Sequence, residues 1–214
     1  MNINEDVIEY INKMPEDEPI LSENIKEYVL DKNNKEEKVN ISKNVNVILN
    51  RLKNEGIVKN AYKGVYYKPT KSIFGDVPLD IDKLIKLKYI EDKGDNIKGY
   101  LTGAKLFNRL GLTTLVPNVT EIVTNECKYH KEYDTNLRVY ITKPKIKITN
   151  ENYKYLQFID VLENKDNIHI EAQNVDDILY EIIEQSNLDF ETLLKYIRET
   201  KSKNVLNKIL ALAR

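Results

Sequence analysis

Ser42-Lys43-Asn44-Val45-Asn46-Val47-Ile48-Leu49-Asn50-Arg51-Leu52-Lys53-Asn54-Glu55-Gly56, running directly into Ile57-Val58-Lys59-Asn60-Ala61-Tyr62-Lys63-Gly64-Val65-Tyr66-Tyr67-Lys68-Pro69, decides how the N-terminal third of the chain is read. Val45, Ile48, Leu49 and Leu52 occupy i, i+3, i+4 and i+7, the spacing that gathers apolar side chains into one stripe of an α-helix. Ser42 offers an N-cap, and Gly56 stands where a residue of positive φ ends a helix at least cost. With about 100° between successive residues, the outer face holds Lys43, Asn46, Val47, Asn50 and Asn54, with Arg51 and Lys53 at its margins and no acid before Glu55. Cationic side chains suit phosphate or guanine, paired amide groups suit adenine, and an exposed valine suits a thymine methyl, as major-groove readout requires. An ordinary solvated helix face has a similar composition. The next residues read as strand (57–60), turn (61–64) and strand (65–69), with Gly64 supplying the positive φ of a tight hairpin.

Working towards the N-terminus, Ile3, Val7, Ile8, Ile11 and Met14 fall at helical spacing and Pro15 follows, so residues 3–14 read as an amphipathic helix. A shorter helix starts at Ser22, with Glu23 in its positive first turn and Ile25, Val29 and Leu30 facing inward. The polar run from Asp31 to Lys38 reads as a solvated connection. Three helices followed by a hairpin is the winged-helix order, in which the third helix enters the major groove and a turn carrying Tyr62 and Lys63 lies on flanking phosphates or in the minor groove. The same order also serves protein docking.

Composition sets the frame around this module. The 214 residues allow one large domain or two small ones. At 41% hydrophobic and 31% charged, with 7 Gly and 6 Pro, the chain is globular rather than disordered or collagenous. The single cysteine, Cys127, cannot close an intramolecular disulfide or build a multi-thiolate zinc site. The N-terminus is acidic where a secretion signal is basic, and no apolar run approaches the roughly 20 residues of a membrane span. These features give the expectation of a cytoplasmic protein with no membrane partner. The formal net charge of −1 conceals a segregation. Lys38, Lys43, Arg51, Lys53, Lys59, Lys63, Lys68 and Lys71 stand against the single acid Glu55 over residues 38–71, a net charge of +7, whereas residues 151–214 carry 8 basic and 12 acidic side chains, a net charge of −4. A basic block beside an acidic region suits a DNA-reading module joined to a module of another kind.

Downstream, residues 78–90 read as a helix, with Asp80 and Asp82 at its start and lysines later, and residues 102–110 as a short helix ending at Gly111. Residues 120–124 and 137–142 alternate as half-buried strands do, giving a mixed sheet with helices. Beyond Asn150 four helical segments, led by Tyr153, Val175, Phe190 and Val205, suggest a terminal bundle. Lys143, Lys145 and Lys147, with Lys128, Lys131 and Arg138, form a second basic strip that suits a DNA-contacting face or a lysine-guarded strand edge. Catalytic patterns are sparse. Thr113, Thr114 and Asn118 flank a Pro117 turn, where such side chains usually satisfy local backbone groups. Cys127 and His130 lack a third partner for nucleophilic or zinc chemistry. Asp160 with Glu163-Asn164-Lys165 resembles the acid then E-x-K arrangement of metal-dependent nucleases. No phosphate-cradling glycine motif occurs, and no cofactor is expected.

Two runs carry a family resemblance. Leu49–Val58 with Lys63–Pro69 resembles the N-terminal winged helix of AbiEi-type antitoxins of bacterial abortive-infection systems. Gly99-Tyr100-Leu101-Thr102-Gly103-Ala104 and Asn108-Arg109-Leu110-Gly111-Leu112-Thr113-Thr114-Leu115-Val116-Pro117-Asn118, continuing to Asn125, resembles that family's central motif. The likeness spans roughly residues 1–144 and fades beyond Asn150. It implies a non-enzymatic antitoxin of a type IV toxin–antitoxin pair acting in phage defence, which represses its own operon by binding double-stranded operator DNA and counteracts a nucleotidyltransferase-like toxin without requiring a stable complex. The expectation is therefore an α+β protein, with a winged helix-turn-helix domain over 1–72 and a mixed sheet and helix domain over 73–214 ending in a helical bundle. The DNA-binding residues are expected to be Lys43, Asn46, Val47, Asn50, Arg51, Lys53, Tyr62 and Lys63, with no catalytic or metal-binding residue. The rival readings are a docking module that neutralises a toxin by direct binding without DNA, and a metal-dependent nuclease using Asp160, Glu163 and Lys165.

Overall fold

The computed structural model describes residues 2–32, 38–92 and 94–212 of a mixed α+β protein. The chain divides into two compact units, Met1–Ile85 and Lys86–Arg214. No helix among the described residues is long and apolar enough to cross a membrane.

The first unit is built on three helices, α1 (Ile3–Lys13), α2 (Ser22–Lys32) and α3 (Lys38–Asn54). The Asn2 side chain caps α1 by accepting the Glu5 amide at 3.3 Å. Glu9 of α1 accepts from Lys13 (2.6 Å), from Lys32 of α2 (2.5 Å) and from the Tyr28 hydroxyl (3.1 Å), and these bonds lower its pKa to about 2. The core joins Val7 and Ile11 of α1, Ile25 and Val29 of α2, and Ile41, Val45, Leu49 and Leu52 of α3. Fully buried Ile41 lies one turn before Val45, so the apolar stripe begins earlier than Ser42 and the helix starts at Lys38. Ser42 is therefore inside α3 and is not its N-cap. Residues 33–37 of the expected polar connection lie outside the described residues.

At the C-terminal end of α3, Gly56 adopts φ 76°, its amide bonds the Lys53 carbonyl (3.1 Å), and Ile57 bonds the Leu52 carbonyl (3.0 Å). This paired closure satisfies carbonyls that the helix end would leave open. It also uses Ile57, so the strand begins later than 57: β2 is Lys59–Tyr62, and the turn shrinks to Lys63-Gly64 before β3 (Val65–Tyr67). A strand absent from the sequence reading, β1 (Ile20–Leu21), pairs antiparallel with β3 to give the order β1-β3-β2. A second hairpin follows, β4 (Lys71–Ser72) with β5 (Gly75–Asp76), and then a short helix, α4 (Ile81–Ile85), whose start is capped by the Asp80 carboxylate accepting the Asp82 amide at 2.9 Å. Lys59 holds Asp76 at 2.6 Å and Lys83 holds Glu18 at 2.6 Å, tying residues beyond 72 to the first unit.

The second unit opens on a π-helical turn, Lys86–Ile90, so the helix expected over 78–90 is two pieces. Its four-stranded mixed sheet has the order β6-β7-β9-β8, from β6 (Gly99–Thr102), β7 (Thr120–Thr124), β8 (Lys131–Asp134) and β9 (Val139–Thr142). β7 and β9 run parallel, and the other neighbours antiparallel. Helices α5 (Gly103–Arg109) and α6 (Tyr153–Asn164) pack on β6. After α7 (Val175–Ser186), helices α8 (Phe190–Glu199) and α9 (Lys203–Leu212) pack on α6 and on each other. Asp134 secures the π-turn by accepting from the Lys88 ammonium and the Tyr89 hydroxyl, each at 2.7 Å.

Gly99 is the tightest point of this sheet. A methyl group there would collide with the Tyr89 carbonyl oxygen and come within 2.8 Å of that of Val123. Both atoms are backbone, so neither can swing aside. Gly99→Ala is expected to destabilise the second unit by about 1–3 kcal/mol or more, measured as a lowered thermal midpoint, whereas alanine at Gly111, where nothing lies within 4 Å, meets no collision and carries only the strain of a φ of 73°.

Candidate nucleic-acid interface

Burying Val45, Leu49 and Leu52 turns the opposite side of α3 to solvent. Lys43, Asn44, Asn46, Asn50, Lys53 and Asn54 are all exposed, and Val47 is 68% exposed. Positions 43, 46, 47, 50, 53 and 54 follow one another at three- and four-residue steps, so they form a continuous stripe along the helix. Arg51 does not join it freely. Its guanidinium donates to the Asn4 side chain of α1 at 2.6 Å and lies 3.5 Å from Glu55. All six α3 residues expected from the sequence are exposed, and Arg51 among them also braces α3 to α1. Asn44, exposed seven residues before Arg51, borders the stripe on Arg51's side and is a residue the sequence reading did not include.

The β2–β3 hairpin presents the remaining two. Lys63 is exposed at the turn and Tyr62 is half-buried at the end of β2. A register shift between Asn60 and Tyr62 is pinned by the Asn60 amide, which donates to the carbonyls of Tyr62 (2.7 Å) and Val65 (3.0 Å). Gly64 takes φ 76°, and its carbonyl accepts the Ser22 amide at 2.8 Å, fastening the turn to the start of α2.

Charge over this region is arranged by pairing. The acids at 55 and 76 each have a cation: Glu55 has Arg51, and Asp76 has Lys59. The hydrogen bond from Lys59 pulls the Asp76 pKa down and the same bond raises that of Lys59, so both stay ionised around neutrality. Lys43, Lys53, Lys63, Lys68 and Lys71 form no ion pair among the described residues. A face of amides and uncompensated lysines can accept a polyanion without first breaking salt bridges.

The other sequence candidates are committed elsewhere. The Cys127 thiol is buried, bonds the Tyr129 carbonyl at 3.0 Å, and has its pKa pushed up chiefly by burial, which disfavours a reactive thiolate. Thr114 donates to Glu171 at 2.5 Å, and Thr113 accepts the Leu115 amide at 3.3 Å. Of the second basic strip, Lys145 bonds Glu163 and Ser202, and Lys131 sits 4.5 Å over the Tyr140 ring. Asp160 accepts from Thr102 and Glu163 binds Lys145, the two carboxylates lining one cavity, while Lys165 pairs with Asp176 at 3.5 Å and does not line it. No group of three or more His, Cys, Asp or Glu residues able to hold a metal ion occurs among the described residues.

The half-buried Asp160 carboxyl lies with Glu163 and Lys145 at the edge of a small cavity of about 90 Å³ that Tyr100 and Thr200 also line. Burial raises its pKa to about 6 against the opposing bond from Thr102. Neither a protein-family model nor a curated protein matches the chain.

Asp160 keeps its proton to a higher pH when folded than when unfolded, so the folded state binds more protons between about pH 4 and pH 6 and stability falls as pH rises through that window. The loss should approach about 3 kcal/mol above pH 6, read from denaturant midpoints between pH 4.5 and 8, and Asp160→Asn should flatten the profile.

Proposed function

We propose that the chain is a DNA-binding antitoxin and autorepressor, with residues of the first unit acting as a winged helix that lays α3 in the major groove of its operator and rests the β2–β3 turn on the adjacent backbone. The observation that carries the reading is the α3 face: Lys43, Asn46, Val47, Asn50, Lys53 and Asn54 on one exposed stripe, with the acids at 55 and 76 each matched by a cation. Three helices with an antiparallel sheet of order β1-β3-β2 suit that mode of docking. The assignment to a toxin–antitoxin operon rests on the AbiEi-type resemblance of residues 49–69 and 99–125, which also proposes a nucleotidyltransferase-like toxin as the functional counterpart. In this reading the second unit counters the toxin, and its acidic helical end takes no part in holding DNA.

Roles within the face follow from chemistry. Asn46 and Asn50 offer the paired donor and acceptor that reads adenine, Val47 offers a methyl contact, and Lys43, Lys53 and Lys63 offer phosphate contacts. Arg51 stiffens α3 against α1 through Asn4.

Electrophoretic retardation of the DNA upstream of the gene, compared with a scrambled duplex across a salt series, tests the proposal. Specific retardation that weakens steeply with salt is expected. Lys43→Ala and Lys63→Ala should each lower the salt slope by about one and weaken all duplexes alike, whereas Asn50→Ala should cost about 1–3 kcal/mol at one base pair and relax the preference there. Equal binding to both duplexes, unaffected by these substitutions, would remove the operator-reading role from α3.

A further inference from the structure

Ile73 and Phe74 are 93% and 94% exposed, side by side at the tip of the β4–β5 hairpin. Scattered apolar side chains on a surface are ordinary, but two adjacent large ones held out on a two-residue tip are not. The tip is braced: the Ser72 hydroxyl donates to the Gly75 carbonyl at 2.8 Å and accepts the Phe74 amide at 3.2 Å. Its base is braced too. The Val77 amide bonds the Thr70 carbonyl (2.9 Å), Thr70 donates its hydroxyl to Asp17 (2.6 Å) and its amide to the same carboxylate (3.1 Å), and Lys59 grips Asp76. An apolar point on a two-stranded ribbon is thus fixed to the first unit through both strands.

We propose that this hairpin is a DNA wedge, with Phe74 and Ile73 entering between base pairs from the minor groove and kinking the duplex. The proposal rests on the reading of α3 as a DNA-binding face and adds to it a deformation step. Charge chooses the occupant. Lys63, Lys68 and Lys71 lead up to the tip with no acid between them in the chain, and the hairpin's own acid, Asp76, is neutralised by Lys59; the carboxylates of Glu16 and Asp17 are at the base, on Thr70, and not at the tip. An apolar protein pocket would have to bury or skirt these lysines, whereas a duplex presents stacked bases between two rows of phosphate. Apolar side chains on basic arms use that geometry: they unstack one step and bend the helix by about 20–90° away from the wedge, which brings more protein surface onto the backbone. Flexible pyrimidine–purine steps deform at least cost, so the wedge also selects sequence at a position no side chain reads by hydrogen bonding.

The experiment uses the full chain and a duplex of about 30 base pairs from upstream of its gene, with a fluorophore pair at the ends and 2-aminopurine placed in turn at each pyrimidine–purine step. Binding should shorten the end-to-end distance and raise 2-aminopurine emission at one step. Phe74→Ser and Ile73→Ser, at exposed positions where the fold does not depend on the side chain, should keep gel retardation, lose the bend and the emission rise, and weaken affinity on the order of ten-fold. Retardation of a straight, fully stacked duplex, or a bend that survives both serines, overturns the wedge and leaves the α3 reading intact. Failure to retard any duplex overturns both. A straight duplex combined with Phe74-dependent sedimentation on phosphatidylserine vesicles overturns the wedge and assigns the tip to a lipid surface.

Discussion

The removal of Val45, Leu49 and Leu52 from water is the constraint on which the first unit depends. All three are at most 3% exposed, and side chains of this kind contribute about 1.5–3 kcal/mol each when fully buried. Because a helix has one axis and a fixed period, choosing which stripe goes inward also chooses which stripe faces out. The asparagines and lysines of α3 are presented because the aliphatic side chains are not, and α1 and α2 supply the surface that holds them there. The polar face can then be tuned for a ligand with little effect on stability, since none of its residues lies in the core.

Around that face, charge is regulated by pairing as well as by composition. The sequence gives a strongly basic block, but the fold subtracts Arg51 and Lys59 from it by giving each an acid, and uses both as braces. What remains is a smaller set of lysines whose positions differ from those that a count would emphasise. Arg51 has the residue type most often associated with guanine recognition, yet one of its guanidinium nitrogens is held by Asn4 and its Nε lies 3.5 Å from Glu55. The distinction between a cation that binds and one that builds depends on partners distant in the chain, here 47 residues away in the case of Asn4.

That distance explains what was legible in the sequence. Elements whose pattern is local and long could be read directly: α1 from its period and Pro15, α3 from its stripe and Gly56, and β7 and β9 from their alternation. Short elements made by pairing could not. β1 is two residues long and exists through its register with β3, β6 carries no alternation because it is buried on both faces, and β8 alternates in exposure without an aliphatic residue to mark it in the sequence. The start of α3 was misplaced because Ser42 has the chemistry of a cap, and only the burial of Ile41 decides against it. Five α3 residues of the candidate face and Lys63 lie exposed where the helical period and the turn put them. The sequence draws attention to Asp160 through a motif with Glu163 and Lys165, whereas its distinction in the fold is partial burial beside Thr102, which no spacing reveals.

The bond between the Ser22 amide and the Gly64 carbonyl constrains how this protein can change over evolutionary time. That amide opens α2 and has no partner within its own helix. Its acceptor is a turn of fixed length. A residue inserted between Tyr62 and Val65 would carry the carbonyl away and strand the amide, while the Lys63 side chain can be exchanged without touching either atom. The β2–β3 turn is therefore free to vary in chemistry and bound in length.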